Sequence, residues 1–348
     1  MEAVRWERYP RVAGAERPRA WLQLQADLQL APKTIDAYGR CLDDFLAYCV
    51  AHAVAPEALT VEQVGGYVRD LATRPRPRAV NVVRLDSGTG LANATLQQRL
   101  TVVRLFCDYL VECEVRADNP VGRGRYVPGR GFGGARERGL IPRLHKLPWI
   151  PGDAQWLAVL GALKDEPLRN RVMLLLAYDG ALRRQELVTL ALDDLDFAYR
   201  QVRIRAEHAK NGRERVVGWG ETTGRFLAAY LAERRALRAA GGRLFLSTSR
   251  RNPGQPLSLV MWSKIVQGLA GRCQLPQFST HTTRHLRLTH LARAGMDLHQ
   301  IALYAGHRSL QTTMQYIHLS GVELAAAVAR SLAGFERWLV AAVGEVPG

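Results

Sequence analysis

Tyr316 lies in GHRSLQTTMQYIH, residues 306 to 318, with His307 nine positions before it and His318 two after it. A phenol can act as a nucleophile, but with a pKa of about 10 it needs help near neutral pH. The same residue on an amphipathic helix is commonly a packing ring with a tethered hydroxyl. Other stretches carry groups that could assist it. In YDGALRRQELVTL, Arg183 is expected in the first turn of a helix behind a glycine break, where a guanidinium can project into a cleft. Glu186, three residues on, shares its face, and a surface ion pair would look the same. HTTRH, residues 281 to 285, sets His281 and Arg284 side by side on a helix. His281 and His285, four apart, could instead hold a metal, although no glutamate follows the first histidine as in HExxH. Lys210 occupies a hairpin loop, from which a long side chain can swing over a ligand or simply stay solvated. His318 carries no assignable role and reads as a surface residue.

These residues need elements to position them. PKTIDAYGRCLDDFLAYCV places Ile35, Tyr38, Leu42, Phe45, Leu46 and Cys49 at helical spacing, with Thr34 as the expected N-cap. TVEQVGGYVRDLATR is a second helix and PRPRAVNVVRLDSGTG a loop or hairpin. A third helix runs over residues 92 to 116 and stops at Asp118-Asn119-Pro120. LRNRVMLLLAYDGALRRQELVTLAL reads as a buried helix, a break at Asp179-Gly180, and another helix. RQVRIRAEHAKNGRERVVGW alternates at Val202, Ile204 and Ala206, turns at Asn211-Gly212 and resumes at Val216 and Val217, the pattern of a β-hairpin. Helices follow to the C-terminus, ending in an amphipathic helix over 322 to 343. The expected fold is therefore mainly α with a small antiparallel sheet, an α+β arrangement of a helical domain followed by a mixed one.

The chain has 348 residues, enough for two domains, and no apolar run approaches the roughly 20 residues that span a bilayer. No membrane partner is expected, and an N-terminus without an apolar signal region makes the cytoplasm the default location. Five cysteines without a CxxC pair argue against a disulfide framework or zinc ribbon. The formal charge of +16 attracts polyanions, although a bias of this kind toward arginine over lysine also follows from a GC-rich genome. Charge concentrates at the domain boundary. Between 121 and 151, rich in glycine, proline and arginine, stand Arg123, Arg125, Arg130, Arg136, Arg138, Arg143 and Lys146 against the single acid Glu137. The segment is either a linker or a basic clamp on a nucleic-acid backbone.

Arg183, Lys210, His281, Arg284, His307 and Tyr316, in that order and in those local contexts, resemble the catalytic set of the tyrosine recombinases, or phage integrase family. YDGALRRQEL is similar to the first arginine box, although that box usually carries Thr-Gly where this chain has Gly180-Ala181. AKNGRERVV resembles the lysine hairpin, HTTRHLRLTHLARAGMDLHQIALYAGH the HxxR helix and following histidine, and TTMQYIHL the nucleophile segment. The helices before 120 resemble the core-binding domain of the same enzymes. The implied organisation is an N-terminal extension (1–30), a helical DNA-binding domain (31–120), the basic linker (121–151) and a catalytic domain (152–348).

The resemblance implies a site-specific DNA recombinase acting through a covalent 3′-phosphotyrosine. Arg183 and Arg284 would clamp the phosphate as it gains negative charge, and Lys210 would protonate the expelled 5′ oxygen. His281 would exchange a proton with Tyr316, His307 would hydrogen-bond the phosphate, and Glu186 would hold the site in shape. No metal or other cofactor is implied, and no P-loop announces an ATP step. The implied partner is duplex DNA carrying recombination sites, bound by four protomers in a synapse, with sister recombinases or accessory proteins as further partners. The long basic segment and the extension resemble recombinases of mobile elements more than compact Xer proteins. A type IB topoisomerase, an inactive DNA-binding accessory protein and a metal-dependent hydrolase built on His281 and His285 are the alternatives; only the last would lose activity in EDTA. If the basic segment binds phosphates, removing its arginines weakens DNA binding and lowers the salt slope by roughly one for each phosphate no longer neutralised. Unchanged affinity and slope would leave it a linker.

Overall fold

The computed structural model describes residues 4–74, 91–121, 147–209, 212–237 and 241–319, with side chains as far as Tyr316. The chain divides into two compact units, Met1–His145 and Lys146–Gly348. Lys210, the Asn211 half of the hairpin turn, the 75–90 loop, all seven basic residues from Arg123 to Lys146, and the helix expected over 322–343 lie outside the described residues.

The first unit is helical among its described residues: α1 (Pro10–Ala13), α2 (Glu16–Asp27), α3 (Pro32–Ala51), α4 (Val61–Thr73) and α5 (Asn93–Glu112). The expected period holds in α3, which buries Ile35, Leu42, Phe45, Leu46 and Cys49. Its start differs from expectation. Pro32 occupies the first helical position with its φ already set, Ala31 is the cap residue, and Thr34 lies inside the first turn. In α4, Thr60 and Gln63 form a reciprocal capping box, with Gln63 N donating to Thr60 Oγ1 at 3.3 Å and Thr60 N to Gln63 Oε1 at 2.9 Å.

The segment read as an extension before residue 31 supplies part of this core. Tyr9, Val12, Trp21 and Leu22 are buried with Phe45, Tyr67 and Phe106. Trp21 stacks on Tyr38 at 5.7 Å and meets the edge of Phe106 at 5.9 Å. Polar ties fix the same segment to α3. Tyr9 Oη donates to Asp36 at 2.5 Å, and Asp43 accepts from the Arg11 and Val12 amides at 2.7 and 3.3 Å. Gly39 gives the Tyr9 ring its place, since a Cβ there would stand 2.7 Å from it. Short helices interrupted at Gly14 carry too few turns to show a period, which is why the sequence does not reveal this packing.

The second unit holds α6 (Asp153–Ala162), α7 (Leu168–Asp179), α8 (Arg184–Thr189), a three-stranded antiparallel sheet, and then α9 (Glu221–Arg235), α10 (Leu259–Arg272), α11 (Thr282–Arg293), α12 (Leu298–Ala305) and α13 (Gln311–Leu319). The strands are β1 (Leu195–Asp196), β2 (Gln201–Ile204) and β3 (Arg215–Gly218), in the order β1-β2-β3. β2 and β3 form the expected hairpin, pairing Val202 with Val217 and Ile204 with Arg215. Val202, Ile204 and Val217 face the core while Val216 faces out. Ala206 falls beyond the strand, and β1 is too short to leave an alternation in sequence. α7 is apolar on most sides and is buried at Val172, Met173, Leu174, Leu176 and Ala177. The fold is thus mainly helical with one small antiparallel sheet. No helix among the described residues is long and apolar enough to cross a membrane.

Removing the Trp21 side chain should destabilise the first unit by about 3–5 kcal/mol, as expected for a large aromatic truncated in a packed core. Chemical denaturation of the full chain, followed through a probe in that unit, would measure it. A change within about 0.5 kcal/mol, typical of a surface site, would show the segment to be an appendage.

Candidate active site

α7 ends at Asp179, and the chain must then reverse sharply to start α8. Gly180 permits close approach to the sheet, because a Cβ there would lie 2.9 Å from Val217. Ala181 takes a left-handed conformation, φ +47°, that favours glycine; an L-residue held there stores about 1 kcal/mol or more of strain. This is the position at which the chain departs from the family's Thr-Gly. The turn leaves Arg183 at the N-cap of α8, one step before the helix proper.

From there Arg183 and Glu186 form a local pair. The Arg183 amide donates to Glu186 Oε2 at 2.8 Å and its Nη1 to Oε1 at 2.9 Å. The carboxylate is completed by a residue that the sequence motifs do not mark. Arg215 on β3 donates to both Glu186 oxygens, at 3.0 and 2.7 Å, and through Nε to the Tyr304 carbonyl at 3.0 Å. A weaker signal for it exists: Arg215 shares the inward face of β3 with Val217, where an apolar residue would be usual.

Arg284, on α11, is 4% exposed. Its Nη1 donates to the Ala181 carbonyl and its Nη2 to the Ala305 carbonyl, each at 2.6 Å. The strained turn and the end of α12 therefore aim this guanidinium. α12 ends on Gly306 in the left-handed region, φ +63°, and a Cβ at that glycine would stand 3.2 Å from the Arg215 side chain. The Gly306 carbonyl accepts from Arg183 Nη2 at 3.2 Å. His307 follows immediately. Its Nε2 lies 3.0 Å from Arg284 Nη2, and because arginine only donates, Nε2 accepts; Nδ1 then carries the hydrogen and donates to Thr313 Oγ1 at 2.8 Å. In this geometry His307 braces Arg284, with both nitrogens engaged, rather than offering an N–H to a phosphate as expected. Burial, followed by the charges of Arg284, Arg183 and Arg215, pushes its pKa down to about 3, so the ring is neutral.

Tyr316, on α13, is 1% exposed. Its ring lies parallel to His307 at 6.1 Å, and its hydroxyl is 2.9 Å from His285 Nδ1. His281, expected to serve the phenol, does not contact it in this structure. His281 is the N-cap residue of α11 and is exposed, whereas one turn further along the helix His285 faces inward to the phenol. Among the described residues no three His, Cys, Asp or Glu side chains gather as metal ligands would. The structure thus brings Arg183, Glu186, Arg284, His307 and Tyr316 together, adds Arg215 and His285, and leaves His281 on the outer end of its helix.

Two guanidinium groups, Arg183 and Arg215, bond the one carboxylate, and Arg284 also feels its charge. Burial would raise the Glu186 pKa, but the hydrogen bonds and charge of Arg215, with the amide and charge of Arg183, lower it from 4.5 to about 2. Burial, and then the charge of Arg183, pull the Arg284 guanidinium down to about 9, still charged at neutral pH. The site is short of negative charge. A cleft of about 480 Å³ lined by Arg183, Arg215, Tyr304, Gly306 and His307 opens beside it, where an anion can approach.

A carboxylate whose pKa falls on folding stabilises the native state fully above its unfolded value and loses that contribution as pH drops through the folded one. For Glu186 the shift corresponds to about 3 kcal/mol. The Tm gap between wild type and Glu186→Gln is therefore expected to be full at pH 7 and to shrink as pH falls from 4.5 towards about 2. A gap that holds constant through this window would contradict the assignment.

The profile of the phage integrase family matches residues 153–322, the stretch that contains every group just described. Tyrosine recombinase XerC of Azotobacter vinelandii is 30% identical over 308 residues, covering 87% of this chain and 91% of that protein. The XerC of Pelotomaculum thermopropionicum is 28% identical over 319 residues, covering 86% and 92%. Among solved structures, the XerH site-specific recombinase bound to a palindromic difH substrate aligns with a TM-score of 0.65 at 16% identity, over 93% of this chain and 87% of that one. The Tn1549 transposon integrase in complex with circular intermediate DNA aligns at 0.63 and 14% identity, over 85% and 94%. At these identities the structural matches speak for the fold, and the sequence relatives for the family. The chain belongs to the phage integrase family of tyrosine recombinases, enzymes that break and rejoin DNA strands.

Proposed function

We propose that the protein cleaves and rejoins duplex DNA at specific sites with Tyr316 as its nucleophile. The observation that carries this reading is the charge imbalance of the site: Arg183, Arg215 and Arg284 share the single carboxylate of Glu186, and a phosphodiester supplies the missing anion. Arg183 and Arg284 donate charge-assisted hydrogen bonds to the non-bridging oxygens as these gain charge during attack. The phenol oxygen bonds to phosphorus, the bond to the 5′ oxygen breaks, and a 3′-phosphotyrosine and a 5′ hydroxyl result. Lys210, whose near neighbours in sequence Ala209 and Arg213 line the cleft, is the proposed donor of the proton to that 5′ oxygen. Because the phosphotyrosine conserves the broken bond, a 5′ hydroxyl from a second duplex reverses the attack and exchanges strands. Guanidinium groups stabilise the charge, so the proposal calls on no metal, cofactor or nucleotide. The ring of Tyr316 is buried, so the scissile strand must enter the cleft or α13 must shift to meet it.

Exchange between two duplexes calls for four protomers, with sister recombinases or accessory proteins as further partners and the cytoplasmic nucleoid as the place of action. Of the two features favouring a mobile-element recombinase, the N-terminal segment forms part of the helical core, so this reading rests on the basic segment 121–151. A second reading, Xer-like resolution, is favoured by the XerC relatives that match across nine-tenths of their own length.

Incubation of the purified protein with supercoiled plasmid in EDTA needs no known target site. Wild type is expected to relax the plasmid slowly and to form a denaturant-resistant protein–DNA adduct, and Tyr316→Phe to form none. Equal adduct from both proteins would sink the nucleophile assignment, and loss of wild-type activity in EDTA would favour the metal-dependent hydrolase.

A further inference from the structure

We propose that His285 is the catalytic residue that takes the proton from Tyr316 as the phosphodiester is attacked, and returns it when the strand is rejoined. The proposal rests on the assignment of Tyr316 as nucleophile and adds the group that activates it. Neither composition nor spacing marks His285 for this work, since it stands out in sequence only as half of a possible metal pair.

The geometry is direct. His285 Nδ1 stands 2.9 Å from Tyr316 Oη, within the range in which a proton passes without an intervening water. The rings are 5.8 Å apart and inclined by 33°, and the His307 ring lies parallel to the phenol at 6.1 Å. Of these two imidazoles, His285 is the one hydrogen-bonded to the hydroxyl. His307 has both nitrogens committed, to Arg284 and Thr313. His281 is turned outward at the helix start, one turn from the inward position.

A phenol carries a hydrogen to donate and a neutral imidazole carries one nitrogen that accepts, so in the proposal Tyr316 Oη donates to His285 Nδ1 and the ring's own hydrogen sits on Nε2. Burial, and then the charges of His281 and Arg284, hold the His285 imidazole in its neutral form, with a pKa of about 4. A base kept this weak takes no proton in the empty site. A phosphodiester bound to Arg284 offsets one of the charges that depress it, so the base strengthens when substrate is in place. The step balances: the proton moves from Oη to Nδ1, the Oη–P bond forms, and the P–O5′ bond breaks with its electron pair going to the oxygen that the general acid protonates.

The test uses the full chain and the plasmid adduct assay. His285→Asn keeps a polar group of similar reach but cannot hold a proton, and His285→Ala removes the contact; both are expected to slow adduct formation by about 10²–10⁴-fold. A polyfluorinated tyrosine at position 316, with a phenol ionised near neutral pH, needs no base. In that background the difference between each variant and wild type is expected to fall below about tenfold, a rescue that repair of packing alone would not give. Wild-type or faster adduct formation by His285→Asn with the natural tyrosine would overturn the proposal, making the bond a resting latch. A deficit unchanged by the fluorinated phenol would overturn it in favour of a packing role. Adduct formed by Tyr316→Phe would instead remove the nucleophile assignment itself, an outcome the His285 variants alone cannot produce.

Discussion

The carboxylate of Glu186 is the fixed point of the catalytic unit. Its side chain is fully buried, and a charge in that position persists only if it is paired and hydrogen-bonded. Two arginines from different elements meet that requirement: Arg183 from the start of α8 and Arg215 from β3. Each is held in return. Arg183 is held by its bonds to that buried carboxylate, and Arg215 ties the hairpin to the last turn of α12 through the Tyr304 carbonyl. The hairpin, already packed on the core through Val202, Ile204 and Val217, is thereby also tied at β3 to Glu186 and, through it, to Arg183.

Arg284, the second arginine of the proposed clamp, is positioned by backbone instead of by a carboxylate. Two carbonyls, from Ala181 and Ala305, accept from Arg284, and both belong to chain reversals that pass through left-handed residues, Ala181 itself and Gly306. At the first the conformation is strained for an alanine; at the second it suits glycine, and a Cβ would crowd the Arg215 side chain at 3.2 Å. Strain at such a position persists because the surrounding contacts over-determine it. The arrangement leaves cationic groups in excess at the proposed phosphate site, with two neutral imidazoles beside the tyrosine. Neutrality matters here: a charged histidine would compete with the arginines for the same anion and could accept no proton.

Much of this is legible in the chain itself. The period of α3, α4 and α5, the alternation of Val202 with Ile204, and the Asn211-Gly212 signal point to the mainly helical fold with its small sheet. Arg183, Arg284, His307 and Tyr316 stand out through their local contexts. The features that escape share a physical cause, because they are set by tertiary contact and not by local pattern. Arg215 and Glu186 lie 29 positions apart and meet only when β3 packs beside α8. His281 and His285 look interchangeable in HTTRH, and the helix phase that turns one outward and the other to Tyr316 is fixed by the packing of α11 against α13. Trp21 gains its meaning from Tyr38 and Phe106, neither close to it in sequence.

The central claim is that the cationic site directs Tyr316 onto phosphorus. The most direct measurement is the mass of the DNA-linked peptide recovered after the plasmid adduct is denatured and digested with nuclease and protease. The expected product is a nucleotide joined through its 3′ phosphate to the peptide that contains Tyr316, with the modification on the phenol oxygen and a free 5′ hydroxyl at the break. A nucleotide attached to any other side chain, or broken ends with no attached peptide, would contradict it.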